Sequence, residues 1–323
     1  MDQTHPPLEP PTLAAFQAAR ARISATAVRT PLVRLRTDAP TELYLKLETL
    51  QPIGSFKLRG AVNAMRMLPP DQLRAGVYTA SAGNMAQGVA WAARELGVSC
   101  RVIAPDHAPQ TKLDAIRRLG ATVVLVPFAD WWRAIVEFGV PGEPGTFIHP
   151  GADANVIAGN GTIGLEIVED LPDVDAIVVP YGSGGLACGV AGAVRALRPE
   201  VRVFACEVDT AAPFAASLAA GKPVTVEYTP TFVDGMGGRT VLEQIWPMAR
   251  DLLAGSLVVS VRQVADAVRL LAERTRIVAE GAGAASLAAA IAHDLGAKHV
   301  ACVISGGNID SAKLATILSG EVP

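Results

Sequence analysis

Residues 176–186, Ala-Ile-Val-Val-Pro-Tyr-Gly-Ser-Gly-Gly-Leu, are the stretch that decides the fold of this chain. Ala176–Pro180 is a short apolar run rich in β-branched residues, which predicts a buried strand. Gly182–Gly185 predicts a tight turn, and a helix is expected from Leu186. The backbone amides of so dense a glycine cluster at a helix start can bind a phosphate group. Tight helix–sheet packing alone is the other interpretation.

The same order of strand, turn and helix recurs on both sides of this stretch. Further buried strands are predicted at Ser99–Ala104, Ala121–Val126, Val201–Ala205 and His299–Ile304, and amphipathic helices at Gln87–Leu96, Gln110–Leu119 and Val264–Thr275. Such alternation indicates an α/β fold with parallel sheets. We predict a smaller α/β domain at residues 76–147, inserted into a larger domain made of residues 1–75 and 148–323.

Composition narrows the function classes. With 323 residues, 50% of them hydrophobic and 18% charged, the chain can bury a sizeable core. A net charge of -3 without a basic patch argues against nucleic-acid and membrane partners. The four cysteines are scattered and lack metal-ligand spacing, so we expect reduced thiols and no metal site. Neither a signal peptide nor a membrane span is predicted, which favours a cytoplasmic protein.

Lys57 stands at an unusual place in the run Pro52-Ile-Gly-Ser-Phe-Lys-Leu-Arg-Gly60. Ser55 is predicted to be a helix N-cap, so Lys57 falls in the first turn, at the positive end of the helix dipole. A lysine held there among apolar neighbours has a depressed pKa and is a good amine for condensing with an aldehyde. A lysine whose long stem carries the charge into solvent is the alternative.

Two more glycine-rich turns follow predicted strands. Ser81–Gly88 opens a helix, so its backbone amides are suited to bind a carboxylate and the Asn84 amide to bond a ring hydroxyl. An ordinary βα turn explains the same residues. Ser305–Asp310 follows the strand that ends at Ile304 and is uninformative by itself. We expect Glu280 to cap a helix, with a role near the site as the alternative, and Lys112 to lie on the surface.

Two other function classes fit part of the sequence. Gly182 to Ala187 matches G-x-G-x-x-A, and Glu207 follows at the distance of a ribose-binding acid, as in an NAD-dependent dehydrogenase. That interpretation leaves Lys57 and the Ser81 turn without roles. A non-catalytic small-molecule binding protein would keep the turns without needing a reactive lysine. Colour separates the classes, because a lysine–aldehyde Schiff base makes a protein yellow.

Taken together, the segments resemble the serine/threonine dehydratases (threonine ammonia-lyases) and serine racemases, pyridoxal-phosphate enzymes of the tryptophan-synthase-β type, fold type II. The resemblance rests on Ser55-Phe-Lys-Leu-Arg-Gly-Ala61, Tyr78-Thr-Ala-Ser-Ala-Gly-Asn84, Val156-Ile-Ala-Gly-Asn-Gly-Thr162, Gly182–Leu186 and Ser305-Gly-Gly-Asn308. It spans roughly Arg22 to Ile317. It implies two parallel-sheet α/β domains with pyridoxal 5'-phosphate in the cleft between them, and a homodimer or higher homo-oligomer.

The resemblance also implies roles for single residues. Lys57 would hold the cofactor as a Schiff base and remove the Cα proton, and Ser305 would face the pyridine nitrogen. Phe56 would pack against the ring, and Asn84 would bond its 3-hydroxyl. The phosphate would be bound by Gly182, Ser183, Gly184, Gly185 and Leu186, and the substrate by Ser81, Ala82, Gly83 and Asn84, with Lys57, Ser81 and Ser305 as catalytic residues.

The implied reaction is elimination of water from a β-hydroxy L-amino acid, giving a 2-oxo acid and ammonia. A neutral hydroxyl at Ser305 leaves the pyridine nitrogen mostly unprotonated, which favours elimination over transamination. Racemases of this family carry serine where this chain has Ala82, so dehydration is expected over the alternatives, serine racemase or hydroxyaspartate dehydratase. Ile53 stands where threonine is common in the family and Met85 where histidine is, and Trp131–Trp132 is an unusual aromatic pair. The replacements at 53 and 85 make the neighbourhood of the reacting centre more apolar, which extends the predicted substrates from threonine and serine to bulkier ones such as phenylserine.

A divalent-ion site of the racemase-like members is incomplete here. Glu207 and the Ala211 carbonyl match two of its positions, but Pro213 stands where the second carboxylate is expected. Glu207 as a polar residue at a strand end is the simpler interpretation. No metal is therefore predicted.

Overall fold

The strands form two separate sheets in the computed structural model, which describes residues 6–37 and 41–323. In chain order the strands are β1 (Leu32–Leu35), β2 (Glu42–Leu47), β3 (Val77–Ala80), β4 (Cys100–Pro105), β5 (Thr122–Val126), β6 (Thr146–Phe147), β7 (Ala176–Pro180), β8 (Arg202–Val208), β9 (Ser256–Val259) and β10 (His299–Ile304). The predicted strands are all present, with ends shifted by up to three residues. The mixed α/β fold with parallel sheets is confirmed.

The larger sheet has the strand order β1-β2-β10-β7-β8-β9. All its neighbouring strands are parallel except β1 and β2, which pair antiparallel. The sequence predicted parallel sheets, and β1 was not among the predicted strands. A short connection joins β1 to β2, and a parallel pair needs a much longer crossover, so these two strands run in opposite directions.

The smaller sheet has the order β5-β4-β3-β6 and is parallel throughout. Its four strands all come from residues 77–147. The division of the chain into domains at residues 76 and 147 stays a prediction.

Thirteen helices are found in the described ranges. They are α1 (Leu13–Ile23), α2 (Lys57–Arg66), α3 (Pro70–Arg74), α4 (Asn84–Leu96), α5 (Gln110–Arg118), α6 (Phe128–Val136), α7 (Ala154–Asp170), α8 (Gly185–Leu197), α9 (Pro213–Ala220), α10 (Trp246–Leu252), α11 (Val261–Thr275), α12 (Gly281–Ala292) and α13 (Ser311–Leu318). A short 3-10 turn covers Glu48–Leu50. No helix within the described residues has the length and apolar character to cross a membrane.

The larger sheet is covered on both faces. Side chains alternate between the faces along β10. Val300, Cys302 and Ile304 belong to the hydrophobic core that includes residues of α11 and α12, whereas Ala301 and Val303 belong to the core that includes residues of α7, α8 and α10. A strand buried on both sides needs a continuous apolar run, which is the pattern that predicted it.

The predicted glycine turns lie at the carboxyl ends of parallel strands. β7 ends just before Gly182, β3 just before Ser81, and β10 just before Ser305. Open α/β sheets bind ligands at this edge.

Candidate active site

One cavity of about 410 Å³ joins the three turns. Nearly all the predicted site residues line it: Phe56, Lys57, Ser81, Ala82, Gly83, Asn84, Gly182, Ser183, Gly184, Leu186 and Ser305. Gly185 lies beside the cavity in the first turn of α8, against Gly151. The volume is in the range of small-molecule sites. Residues more than 200 positions apart in the chain are thus brought together by the fold.

Lys57 is the first residue of α2, and the N-cap position is occupied by Phe56. The prediction of Ser55 as the N-cap was therefore wrong. Ser55 is held instead in a bridge with Gly306, and the Phe56 amide donates to the Ser305 carbonyl at 3.0 Å. These contacts pull the chain toward the end of β10, so the helix begins one residue later than expected.

The Lys57 amine is bonded to a backbone carbonyl and lies beside an aromatic ring. Nζ donates to the Pro150 carbonyl at 2.5 Å and lies 5.2 Å from the centre of the Phe56 ring. Burial lowers the pKa of Lys57 from the ordinary 10.5 to about 8. A larger share of the amine is therefore neutral near pH 7 than for a lysine in water, and the neutral amine is the nucleophile toward aldehydes.

The turn after β7 is shaped by close backbone packing. Gly184 is the N-cap of α8 and has φ 87°, a left-handed conformation that suits glycine. A Cβ on Gly185 would come 2.5 Å from the Gly151 carbonyl oxygen. The glycines bring the start of α8 against the segment at Gly151. The first backbone N–H groups of α8 have no acceptors within the helix, so they can bind a phosphate. One turn can therefore serve both tight packing and phosphate binding.

In the turn after β3, two of the backbone amides that the sequence offered to a ligand are already hydrogen-bonded within the protein. The Ser81 amide donates to the Ile103 carbonyl at 3.0 Å, and the Gly83 amide donates to the Ser81 hydroxyl at 3.2 Å. Both amides are therefore used within the protein. The predicted contact with a substrate carboxylate narrows to the amides of Ala82 and Asn84, at the start of α4.

Asn84 belongs to a chain of side chains that the sequence did not reveal. Its Nδ2 donates to Glu280 Oε1 at 2.7 Å, and its Oδ1 accepts from Asn308 Nδ2 at 2.7 Å. Glu280 is the N-cap of α12 by position but makes no side-chain cap, so the prediction that it caps the helix was wrong. Burial raises the pKa of Glu280 to about 7, while the Asn84 bond opposes that shift.

Ser305 is buried, with 3% of its surface exposed. Within the described part of the chain, its hydroxyl has a single long contact, of 3.5 Å, with the Ala282 carbonyl. The hydroxyl is thus available to a ligand in the cavity and carries no charge of its own.

An aromatic wall, defined here as Phe128, Trp131 and Trp132 of α6, closes part of the cavity. The ring centres of Phe128 and Trp131 are 5.4 Å apart, and those of Trp131 and Trp132 are 6.2 Å apart. Met85 lines the same cavity. Lys112, expected on the surface, also lines it and pairs with Asp234 at 2.9 Å.

The Glu207 carboxylate is fully hydrogen-bonded away from the cavity. Oε1 accepts from the Phe214 amide at 2.8 Å, and Oε2 accepts from the Ala215 amide at 2.8 Å and the Ser256 hydroxyl at 2.6 Å. This buried carboxylate holds the start of α9 and is not available to a ribose, which argues against the dehydrogenase interpretation. No cluster of three or more metal-ligating side chains is found among the residues described.

The residues of the cavity fit pyridoxal 5'-phosphate. Its aldehyde needs an amine of lowered pKa, which is Lys57, and its phosphate needs a helix start, which is that of α8. Its ring hydroxyl and pyridine nitrogen need hydrogen-bonding groups. Among the residues that the structure describes, one amide hydrogen of Asn84 has no acceptor, and the Ser305 hydroxyl makes only its long contact with Ala282.

Comparisons with known proteins agree with this fit. Residues 23–306 match the family described as "Pyridoxal-phosphate dependent enzyme". The chain is 42% identical over 282 residues to the L-threonine ammonia-lyase of Thermotoga maritima, covering 86% of this chain and 70% of that protein. It superposes on threonine deaminase isoform 2 of Solanum lycopersicum with a TM-score of 0.84 (29% identity; 99% and 98% covered) and on maize serine racemase with 0.87 (32%; 97% and 98%).

Proposed function

The chain belongs to the pyridoxal-phosphate-dependent enzyme family, and we propose that it is a lyase that converts a β-hydroxy L-amino acid to a 2-oxo acid and ammonia. Bound cofactor supplies the electron sink that makes the Cα proton acidic. The relatives named as threonine ammonia-lyase and threonine deaminase support this reaction class.

Lys57 is assigned the proton transfer at Cα. Its Nζ is neutral to a greater extent than that of an exposed lysine, because burial lowers its pKa to about 8. The Pro150 carbonyl accepts from the same nitrogen and fixes its direction. Loss of the β-hydroxyl then needs a hydrogen-bond donor. Ser81 is suited to that role, because its oxygen accepts from the Gly83 amide while its own proton is free to be donated.

Ala82 is the single observation that carries the choice between elimination and racemisation. It lines the cavity in the turn next to Asn84. A racemase returns a proton to Cα on the face opposite the lysine, and a methyl group has no proton to give. Elimination therefore proceeds without a competing return of the proton from that side.

The aromatic wall and Met85 bear on the substrate. A short polar side chain such as that of serine gains little from them, whereas a phenyl group would be buried against them. We include phenylserine with threonine and serine as substrates. A homo-oligomer in the cytoplasm remains part of the proposal.

The direct test measures both products from the same substrate. The holoenzyme is given L-serine, L-threonine and phenylserine, and 2-oxo acid and D-amino acid are quantified. We expect 2-oxo acid to exceed D-amino acid for every substrate that is consumed. Faster formation of D-serine than of pyruvate would overturn the proposal in favour of a racemase.

A further inference from the structure

Three side chains from distant parts of the chain meet beside the cavity. Asn84 begins α4, Glu280 precedes α12, and Asn308 follows β10. They are joined by the two bonds of 2.7 Å described above. The cavity is lined by Asn84 and Glu280 and not by Asn308, which lies behind them.

The orientation of each amide follows from the two ends of this chain. Asn308 Nδ2 donates to the Ile53 backbone carbonyl at 2.8 Å, and a carbonyl only accepts. Asn308 therefore turns its nitrogen toward Asn84, which must present Oδ1. The Asn84 nitrogen then points to the Glu280 carboxyl group, which accepts. If the Asn84 amide were flipped, its Nδ2 would face the Nδ2 of Asn308, so that two donors met. Its Oδ1 would then face the carboxylate oxygen of Glu280, so that two acceptors met.

Glu280 is fixed in this place by its surroundings. Its backbone amide donates to the Gly306 carbonyl at 3.0 Å. A Cβ on Gly306 would lie 2.5 Å from Oε1, so the glycine at position 306 leaves room for the carboxyl group. The side chain is 7% exposed. Burying a carboxyl group is costly. In the described ranges, the one hydrogen bond of the Glu280 carboxyl group is the bond that it accepts from Asn84.

We propose that Glu280 is a positioning residue: together with Asn308 it locks the Asn84 amide so that one N–H remains for the ring hydroxyl of the cofactor. The inference rests on the proposed function, because it needs the cofactor in this cavity. Glu280 itself need not touch the reacting atoms. Its effect is on how tightly the ring is held and on the electronic state of the ring oxygen.

The test measures cofactor binding rather than turnover. Protein freed of cofactor is titrated with pyridoxal 5'-phosphate, and both the dissociation constant and the position of the absorption band are recorded. Glu280→Ala should weaken binding about tenfold, the equivalent of one lost hydrogen bond to a charged group, and should shift the band. Glu280→Gln keeps an acceptor of the same shape and should restore both to near wild type. Glu95→Ala, an exposed position on α4, is the control.

The outcomes separate the two proposals. Unchanged binding and an unchanged band in Glu280→Ala, with both altered in Asn84→Ala, would overturn the role of Glu280 alone. Failure of the wild type to bind the cofactor would overturn the proposed function. Thermal unfolding of the cofactor-free variants shows whether they fold. If Glu280→Ala does not, Asn308→Ala releases the other side of the amide and should weaken binding in the same way.

Discussion

At the scale of single residues, the methyl group of Ala82 is proposed to favour elimination over racemisation of the same substrate. Ala82→Ser places a hydroxyl in the cavity. We expect D-serine formation to rise at least about tenfold, because a fully aligned acid–base group contributes about 10²–10⁴-fold. Chiral analysis of the product measures it. Ala108→Ser, which adds a hydroxyl elsewhere in the cavity, is the control. Equal D-serine formation by both variants would contradict the role of position 82.

Glu280 gives a pH prediction that is independent of the cofactor. Its pKa is about 7 in the folded protein and 4.5 ordinarily, so the folded state binds more protons between these values. The free energy of unfolding should therefore fall as the pH rises from about 4.5 to about 7. Relative to Glu280→Gln, the fall should be about 3 kcal/mol. Urea unfolding of both cofactor-free proteins measures it, and parallel pH curves would contradict the raised pKa.

Site residues that lie within a local sequence pattern could be predicted from the sequence. Lys57 and Asn84 were predicted because each opens a helix within a characteristic run. For Glu280 the sequence favoured a helix cap over a role near the site, because its contact with residue 84, which in turn contacts residue 308, is encoded in no local pattern. Ser55 was assigned as a cap from its residue type, but a bridge with Gly306 holds it instead.

At the scale of elements, the turn between β7 and α8 depends on backbone approach. Gly185→Ala should lower stability by about 1–3 kcal/mol, because its Cβ would lie 2.5 Å from the Gly151 carbonyl oxygen. Gly182→Ala is the matched control, since its nearest contact would be an ordinary 3.5 Å. Denaturant unfolding of the cofactor-free proteins measures the difference. Equal stability of the two variants would show that the segments move apart at little cost.

The helix α6 carries the prediction on substrate size. Trp132→Ala should lower kcat/KM for phenylserine about tenfold while changing that for threonine less than about threefold, because only the phenyl group reaches the aromatic wall. Val136→Ala, exposed on the same helix, is the control. An equal loss for both substrates would mean that Trp132 supports the cavity without selecting its contents.

Elements were predictable where the apolar pattern was strong. β7 and β10 have the predicted bounds, because strands buried on both faces need unbroken apolar runs. The antiparallel pairing of β1 was not foreseen, since strand direction depends on the connection rather than on composition. The strand β8 runs on to Val208, beyond its predicted end, because it pairs with β9 there.

At the scale of the whole molecule, two sheets bring three turns to one cavity. The α/β class and the cofactor were predictable from the order of the turns along the chain. The Lys112–Asp234 pair and the aromatic wall were not placed at the cavity, because they depend on how the two sheets face each other.

Covalent trapping at Lys57 tests the central claim most directly. The protein is incubated with pyridoxal 5'-phosphate, reduced with borohydride, and its peptides are mapped by mass spectrometry. We expect the cofactor on Lys57, and Lys57→Ala should lose both the yellow colour and 2-oxo acid formation, while Lys298→Ala, at an exposed lysine, keeps both. Label on another lysine with Lys57 unmodified, or activity that survives in Lys57→Ala, would contradict the account.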